Sequence, residues 1–227
     1  MMQNTAMKTI PHAESVAPLL QLGAIARGVP QNDPYPYLMV SNTLRAEDAP
    51  AIKRDFPDIQ KSGYLPLSLL ARQGAFDALL NDLEGPDLAE ILSDKLGLDL
   101  RDKPRMITVR KWSAGNDGRI HNDGEAKIAT SLLYLNETWP QGDGGRLRVL
   151  RSKGSFDNTA AEVPPVYGTF FAFARTEDSW HGHKPFTGER RVIQITWLRS
   201  WEDYNRKEKR GRVSFLLKRL LSSSYEG

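Results

Sequence analysis

The residues best suited to chemistry in this sequence are an aspartate and three histidines in its second half. His121 and Asp123 are two positions apart, and in an extended segment such residues point to the same side of the chain. An imidazole and a carboxylate placed in this way can bind one metal ion together. His181 and His183 follow further along the chain, also two positions apart, and either can supply a third ligand.

The ligand types narrow the choice of metal. The chain contains no cysteine, so thiolate metal sites and disulfides are excluded, and a metal must be bound by His, Asp or Glu. Two histidines and one carboxylate on one face of an octahedral ion leave three positions open, which is typical of non-haem iron(II) oxygenases. The His-x-Asp motif alone is weak, and a solvated loop near Gly124 is the structural alternative.

An arginine pair opens the last predicted strand. Alternation along that strand predicts that Arg191 shares a buried face with Ile193, Ile195 and Trp197, whereas Arg190 points the other way into solvent. A buried guanidinium needs an anionic partner, because an unpaired buried charge is very costly. A dicarboxylate co-substrate can be that partner through two parallel hydrogen bonds, and an internal Asp or Glu is the alternative.

Helical patterns fill the first half of the chain and alternating patterns the second. Helices are predicted at residues 44–56, 68–80 and 86–97, with Pro86 at a first-turn position and Gly97 at a C-terminal cap position. Strands are predicted at residues 37–40, 106–110, 128–135, 146–150, 169–174 and 191–198. Helices followed by a run of strands favour an α+β fold with a β-sandwich or jelly roll.

Composition limits the class of protein. With 40% hydrophobic and 26% charged residues, the 227-residue chain has an ordinary globular composition. It has no run of about 18 apolar residues that could span a membrane and no apolar export signal near its start, so we expect a cytoplasmic protein. Basic residues crowd the last segment. This segment is predicted to be a solvated accessory helix at 213–221, with nucleic-acid binding as the alternative.

Several motifs in order resemble one known family. The stretch from His121 to Trp197 is similar to the prolyl 4-hydroxylase-like branch of the iron(II)/2-oxoglutarate dioxygenases, and the resemblance extends over roughly residues 33–199. The motifs are His121-Asn122-Asp123, Leu133-Tyr134-Leu135-Asn136 with Trp139, Gly144-Gly145-Arg146-Leu147, His181-Gly182-His183-Lys184-Pro185 and Gly188-Glu189-Arg190-Arg191.

The resemblance implies a fold and a domain organisation. The fold would be a double-stranded β-helix, or jelly roll, with N-terminal helices packed against one sheet. Residues 1–32 would be a poorly patterned N-terminal segment. Residues 33–200 would form the dioxygenase domain, with the metal and co-substrate motifs within 105–199, and residues 201–227 would form a basic C-terminal helical segment.

The resemblance also implies the catalytic residues. His121, Asp123 and His181 would bind Fe(II), and Arg191 would bind the distal carboxylate of 2-oxoglutarate with a hydrogen bond from Tyr134. The family usually has an aliphatic residue where this chain has His183, so His183 could itself bind iron. We prefer His181, because the following proline and arginine keep the family spacing from it.

The implied reaction consumes 2-oxoglutarate and O2, releases succinate and CO2, and hydroxylates an unactivated C–H. Ascorbate is an auxiliary cofactor that this family admits. The primary substrate would be a prolyl residue of a protein, a small molecule or a glycan, and nucleic acid is not favoured. Two alternatives stay open: a nucleic-acid dealkylase of the same superfamily, and a non-catalytic jelly-roll protein that binds a metal.

Overall fold

The computed structural model describes residues 17–142 and 144–223, with side chains described as far as Val213. The helices are α1 (Leu22–Arg27), α2 (Ala49–Asp55), α3 (Gly74–Glu84), α4 (Pro86–Leu96) and α5 (Trp201–Ser223). The strands are β1 (Tyr37–Val40), β2 (Leu65–Pro66), β3 (Arg105–Ser113), β4 (Lys127–Tyr134), β5 (Leu147–Leu150), β6 (Thr159–Val163), β7 (Phe170–Ala174), β8 (His181–Gly182) and β9 (Gly188–Leu198).

The strands form two sheets. The major sheet has the order β1-β7-β4-β9-β3-β2, the minor sheet has the order β6-β5-β8, and every pairing within them is antiparallel. Neighbours in the major sheet are mostly distant in sequence, as in a jelly roll rather than a meander. The prediction of an α+β fold built on a jelly roll is confirmed.

Each face of the major sheet has its own apolar cluster, because alternate residues along a strand point to opposite sides. On the outer face, Leu133, Ile193 and Trp197 pack with the helices, including Phe76 of α3 and Leu88 of α4. On the inner face, toward the minor sheet, a smaller cluster consists of Tyr35, Tyr37, Leu132, Tyr134, Leu147, Val149, Val163, Phe171, Phe173 and Val192. The residues that face the minor sheet therefore line the space where a ligand can bind.

Most predicted elements are present, with changes at their ends. The predicted strand at 37–40 is β1 itself, and α4 ends at Gly97, which has the left-handed backbone (φ 66°) expected of a helix C-cap. The helix predicted at 68–80 begins only at Gly74, after a 3-10 turn at Leu67–Leu69. Asp55 accepts a hydrogen bond from the Ala75 N–H (2.7 Å) and so stabilises that later start.

Four elements carry weak sequence patterns. The N-terminal segment contains α1, whose Ile25 is fully buried in the outer cluster. Leu19 and Leu20, just before α1, are also buried there. Strand β6 is only half-buried for most of its length, which removes the alternation that marks other strands. The two-residue strands β2 and β8 are too short for any periodicity.

The C-terminal helix begins earlier than predicted. It starts at Trp201 rather than near residue 213, and it contacts the edge strand β2 and also β3 and β9. Gly211 permits this close approach, since a Cβ there would lie 2.7 Å from Cγ of Pro66. Within the described residues, no helix is both long enough and apolar enough to cross a membrane.

Candidate metal centre and co-substrate pocket

A cavity between the two sheets contains the predicted metal ligands. His121 and Asp123 precede β4, and His181 begins β8 of the minor sheet. The backbones of His121 and His181 form a reciprocal bridge, with N–H···O distances of 2.9 and 3.0 Å. Their rings consequently lie 4.3 Å apart between centroids. Potential ligand atoms of His121, Asp123 and His181 all lie within 4.8 Å of one another.

Both imidazoles are oriented to present Nε2 as a ligand. Nδ1 of His121 lies 2.9 Å from the carbonyl oxygen of Arg119, and Nδ1 of His181 lies 2.9 Å from that of Ser179. A carbonyl only accepts, so Nδ1 must carry the proton and Nε2 keeps its lone pair. Burial lowers the pKa of His181 to about 4 despite the opposing charge of Asp123, so this ring is neutral near pH 7.

The Asp123 carboxylate is stabilised in its charged form. Burial alone would raise its pKa, but Lys127, His181 and a hydrogen bond from Thr130 outweigh burial and lower the pKa to about 2. Lys127 Nζ lies 2.6 Å from Oδ1, and Thr130 Oγ1 donates to Oδ2 at 2.7 Å. Asp123 is therefore an anion over the whole physiological pH range, as a metal ligand must be.

The donor set fits iron(II). Two neutral imidazoles and one carboxylate are the ligands that non-haem iron prefers when it must keep open positions for reactants. Two of the three ligands are buried, and each ligand has a hydrogen-bonding partner that fixes its orientation.

Thr130 gives a direct test of that orientation. Thr130→Val removes the hydroxyl that donates to Asp123 but keeps the side-chain shape. We expect Fe(II) affinity to fall by about 10–100-fold, the usual effect of losing an outer partner of a metal ligand. Ser131→Ala is the control, since Ser131 is equally buried on the same strand and its hydroxyl has no hydrogen-bond partner among the described residues. Equal losses of affinity, measured by metal titration, would mean that Thr130 acts through the strand and not through Asp123.

Of the two arginines near the start of β9, Arg190 is the one that lines the cavity. Its side chain is 1% exposed, so the prediction that Arg190 is solvated is wrong. Its Nε donates to the Gly145 carbonyl (3.0 Å) and one terminal nitrogen donates to the Tyr134 hydroxyl (3.1 Å). The guanidinium also hydrogen-bonds the side chain of Tyr64, which leaves some of its five N–H groups for a ligand. Tyr134 is fully buried beside this guanidinium, and burial raises its pKa to about 12.

Arg191 lies on the opposite face of β9. The predicted alternation with Ile193, Ile195 and Trp197 is correct, but that face packs against the helices and does not line the cavity. Arg191 forms an ion pair with Glu189, and its guanidinium lies 5.3 Å from the ring centroid of Phe56. The apolar residues of β9 correctly predicted a buried face. The cavity, however, is lined by the other and more polar face of the strand, which carries Arg190 and Gln194.

His183 lies in the cavity but outside the three-residue cluster. Its ring fits against Gly118, where a Cβ would lie 2.2 Å from Nδ1 and where the backbone is left-handed (φ 84°). Its Nδ1 is 2.9 Å from the carbonyl oxygen of Lys184, and burial, followed by the charge of Arg190, lowers its pKa to about 4. The structure thus places His181 rather than His183 with His121 and Asp123.

Among the polar residues that line the cavity, sequence reasoning missed Tyr64, Arg110, Lys127, Thr130, Arg190 and Gln194. Arg110 and Lys127 could have been found, because each occupies the inward phase of a predicted strand or its edge. Tyr64 precedes a two-residue strand and carries no signal.

The fold is a jelly roll, and the cavity between its sheets brings together two histidines and one carboxylate that can bind a metal ion. Residues 107–199 match the model of the 2OG-Fe(II) oxygenase superfamily. Over these residues the resemblance noted in the sequence is confirmed, and the match supports a 2-oxoglutarate-dependent dioxygenase. The match implies Fe(II) as the metal and 2-oxoglutarate and O2 as co-substrates. No curated protein sequence matches the chain.

Solved structures with a similar fold include prolyl hydroxylases. A prolyl-4-hydroxylase from Pseudomonas putida is 19% identical, with a TM-score of 0.52 over 79% of this chain and 97% of that chain. A prolyl 4-hydroxylase from Phytophthora capsici is 20% identical (TM-score 0.48, 71% and 58% of the two chains). A prolyl hydroxylase from Trichoplax adhaerens, solved with a peptide of hypoxia inducible factor, is 14% identical (TM-score 0.49, 79% and 87%). At these identities the first match shows a shared fold.

Proposed function

We propose that this protein is a hydroxylase that uses His121, Asp123 and His181 to bind Fe(II) and Arg190 to bind 2-oxoglutarate. The reaction converts 2-oxoglutarate, O2 and R–H into succinate, CO2 and R–OH. One oxygen atom enters the new succinate carboxylate and the other enters the alcohol. The observation that carries the proposal is that a fully buried guanidinium and a three-ligand cluster share one cavity.

Arg190 is suited to the distal carboxylate of 2-oxoglutarate. Its Nε and one terminal nitrogen are already oriented by Gly145 and Tyr134, so little side-chain freedom is lost when a carboxylate binds. Charge-assisted hydrogen bonds inside a cavity of low dielectric are stronger than those in water. Arg190 replaces Arg191 in this role, and Tyr134 keeps the role that the sequence suggests for it.

The other cavity residues position and isolate the reactants. Iron supplies the redox chemistry that activates O2, which no side chain of this protein can supply. Leu132, Leu147 and Phe173 form an apolar wall that excludes water from the reacting groups. Thr130 and Lys127 hold the Asp123 carboxylate, and the carbonyls of Arg119 and Ser179 hold the two imidazoles.

The carbon that is oxidised is an unactivated aliphatic one. A prolyl residue is the candidate supported by the fold shared with the Pseudomonas putida enzyme. Neither of the two alternatives, a nucleic-acid dealkylase and a non-catalytic binding protein, is favoured by a feature of the cavity.

The test is turnover of 2-oxoglutarate alone. Purified protein with Fe(II), ascorbate and 2-oxoglutarate should release succinate slowly even without a primary substrate, and a chelator should stop the release. Binding of 2-oxoglutarate under anaerobic conditions should require the metal. If 2-oxoglutarate binds tightly in a metal-dependent way but no succinate is released, the non-catalytic alternative is favoured.

A further inference from the structure

A groove beside the metal centre is formed by the C-terminal helix. It lies between α5 and the inner face of the major sheet and has a volume of about 400 Å³. Tyr64, Lys127 and Gln194 line both this groove and the metal cavity, so the two spaces adjoin. The sheet contributes the polar residues Thr108 and Thr196 to the groove floor, and α5 contributes Lys207 and Arg210 to its roof.

The groove and the cavity together carry excess positive charge. Arg110, Lys127, Arg190, Lys207 and Arg210 line them, whereas Asp123 is the acidic lining residue among the parts of the chain that the structure describes. Fe(II) and the 2-oxoglutarate dianion carry opposite and equal charges, so their binding leaves this excess unchanged. Burial, then the like charge of Lys127, lowers the pKa of Lys207, with Arg210 adding to this and Asp123 and Asp203 opposing it.

Arg110 is a buried cation whose hydrogen bonding within the protein is incomplete. Its side chain is 7% exposed and lies 4.2 Å from the ring centroid of Tyr64. Its Nε has no hydrogen-bond partner among the described residues, and its nearest carboxylate oxygen, on Asp117, is 3.7 Å from a terminal nitrogen. A buried donor without an acceptor is costly, so a ligand oxyanion at this position would be strongly stabilised.

We infer that the primary substrate carries an oxyanion, a carboxylate or a phosphate, and that it enters through the groove beneath α5. Lys207 and Arg210 bind the oxyanion in the groove, and Arg110 binds it where the groove adjoins the metal cavity. This inference rests on the proposed function and adds the charge of the substrate to it. The inference specifies a charged group of the substrate molecule and does not specify which carbon is hydroxylated. It also gives the basic C-terminal segment a role in substrate recognition, where the sequence suggests an accessory helix.

The test uses the full chain loaded with Fe(II) and 2-oxoglutarate under anaerobic conditions. Methylphosphonate, acetate and the uncharged acetamide are titrated at constant ionic strength by calorimetry. Saturable binding of one or both anions, without binding of acetamide, is expected, and the stronger anion tells phosphate from carboxylate. The double variant Lys207→Gln/Arg210→Gln should weaken anion binding by about tenfold or more, because charge-assisted hydrogen bonds are lost.

The matched control is Arg206→Gln/Lys209→Gln, which removes the same charge from exposed positions of the same helix that do not line the groove. It should bind the anions as the wild type does and should release succinate at the wild-type rate. Arg110→Gln, checked for folding by thermal denaturation, should also weaken anion binding.

The outcomes separate the two proposals. Anion binding that is absent, or equally affected in both double variants, overturns the substrate inference even if succinate release is normal. Anion binding that depends on Lys207 and Arg210 supports the substrate inference, and the absence of succinate release from the same wild-type protein would then count against the proposed function alone.

Discussion

Replacing Asp123 with alanine should reduce iron-dependent succinate release by more than about 100-fold, since losing even an outer partner of a metal ligand costs 10–100-fold. Asp123 is the carboxylate of the three-ligand cluster, and His121 and His181 alone leave Fe(II) weakly bound. His181→Ala should have a comparable effect. Fe(II) titration and succinate assays on the same samples measure both quantities.

The control for this prediction is His183→Ala. His183 lies in the same cavity and is as buried as His181, but it is outside the ligand cluster, so Fe(II) affinity should be retained. Asp123→Asn preserves side-chain volume and guards against a loss that reflects misfolding, because Asp123→Ala leaves Lys127 without its carboxylate partner. If His183→Ala releases no succinate while His181→Ala stays active, the ligand assignment of the two histidines is reversed.

Replacing Arg190 with alanine should raise the apparent KM for 2-oxoglutarate far more than replacing Arg191. Truncating one partner of a buried, hydrogen-bonded charge pair costs about 2–5 kcal/mol, which corresponds to a rise between about 30-fold and a few thousand-fold. Arg191→Ala removes the same group from the neighbouring position on the outer face of β9, where it pairs with Glu189, and should change KM little.

Arg190→Lys refines the comparison. It retains the charge but not the planar group that donates both to Gly145 and to Tyr134, so an intermediate KM is expected. Circular dichroism of each variant checks that the fold is intact. If Arg191→Ala raises KM as much as Arg190→Ala does, the co-substrate does not bind in the cavity between the sheets.

The amino-acid sequence was sufficient to predict most elements of this protein and its candidate metal ligands. Helix α4 is fixed by local signals, Pro86 at its first turn and Gly97 at its cap, which act wherever the helix lies in the fold. His121 and Asp123 could be paired because an extended chain brings alternate residues to one side. The ordered motifs from His121 to Trp197 were sufficient to indicate the superfamily.

The same alternation also separated Arg190 from Arg191 correctly, but it could not say which of the two faces the co-substrate. Both faces of β9 are buried, one against the helices and the other against the minor sheet, so burial alone does not mark the cavity. That choice depends on which layer covers each face, and the covering layer comes from strands distant in sequence.

Tertiary structure likewise decided what surrounds the metal centre. Tyr64 and Lys207 are far apart in the chain and have no pattern in common, yet they line one groove because α5 folds back against β2. The periodicity of α5 predicts only that a helix forms. A charged helix face has the same sequence pattern whether it faces solvent or lies above a polar groove. Side-chain types and local spacing therefore determined the chemistry of this protein, whereas long-range contacts decided which charged residues surround it.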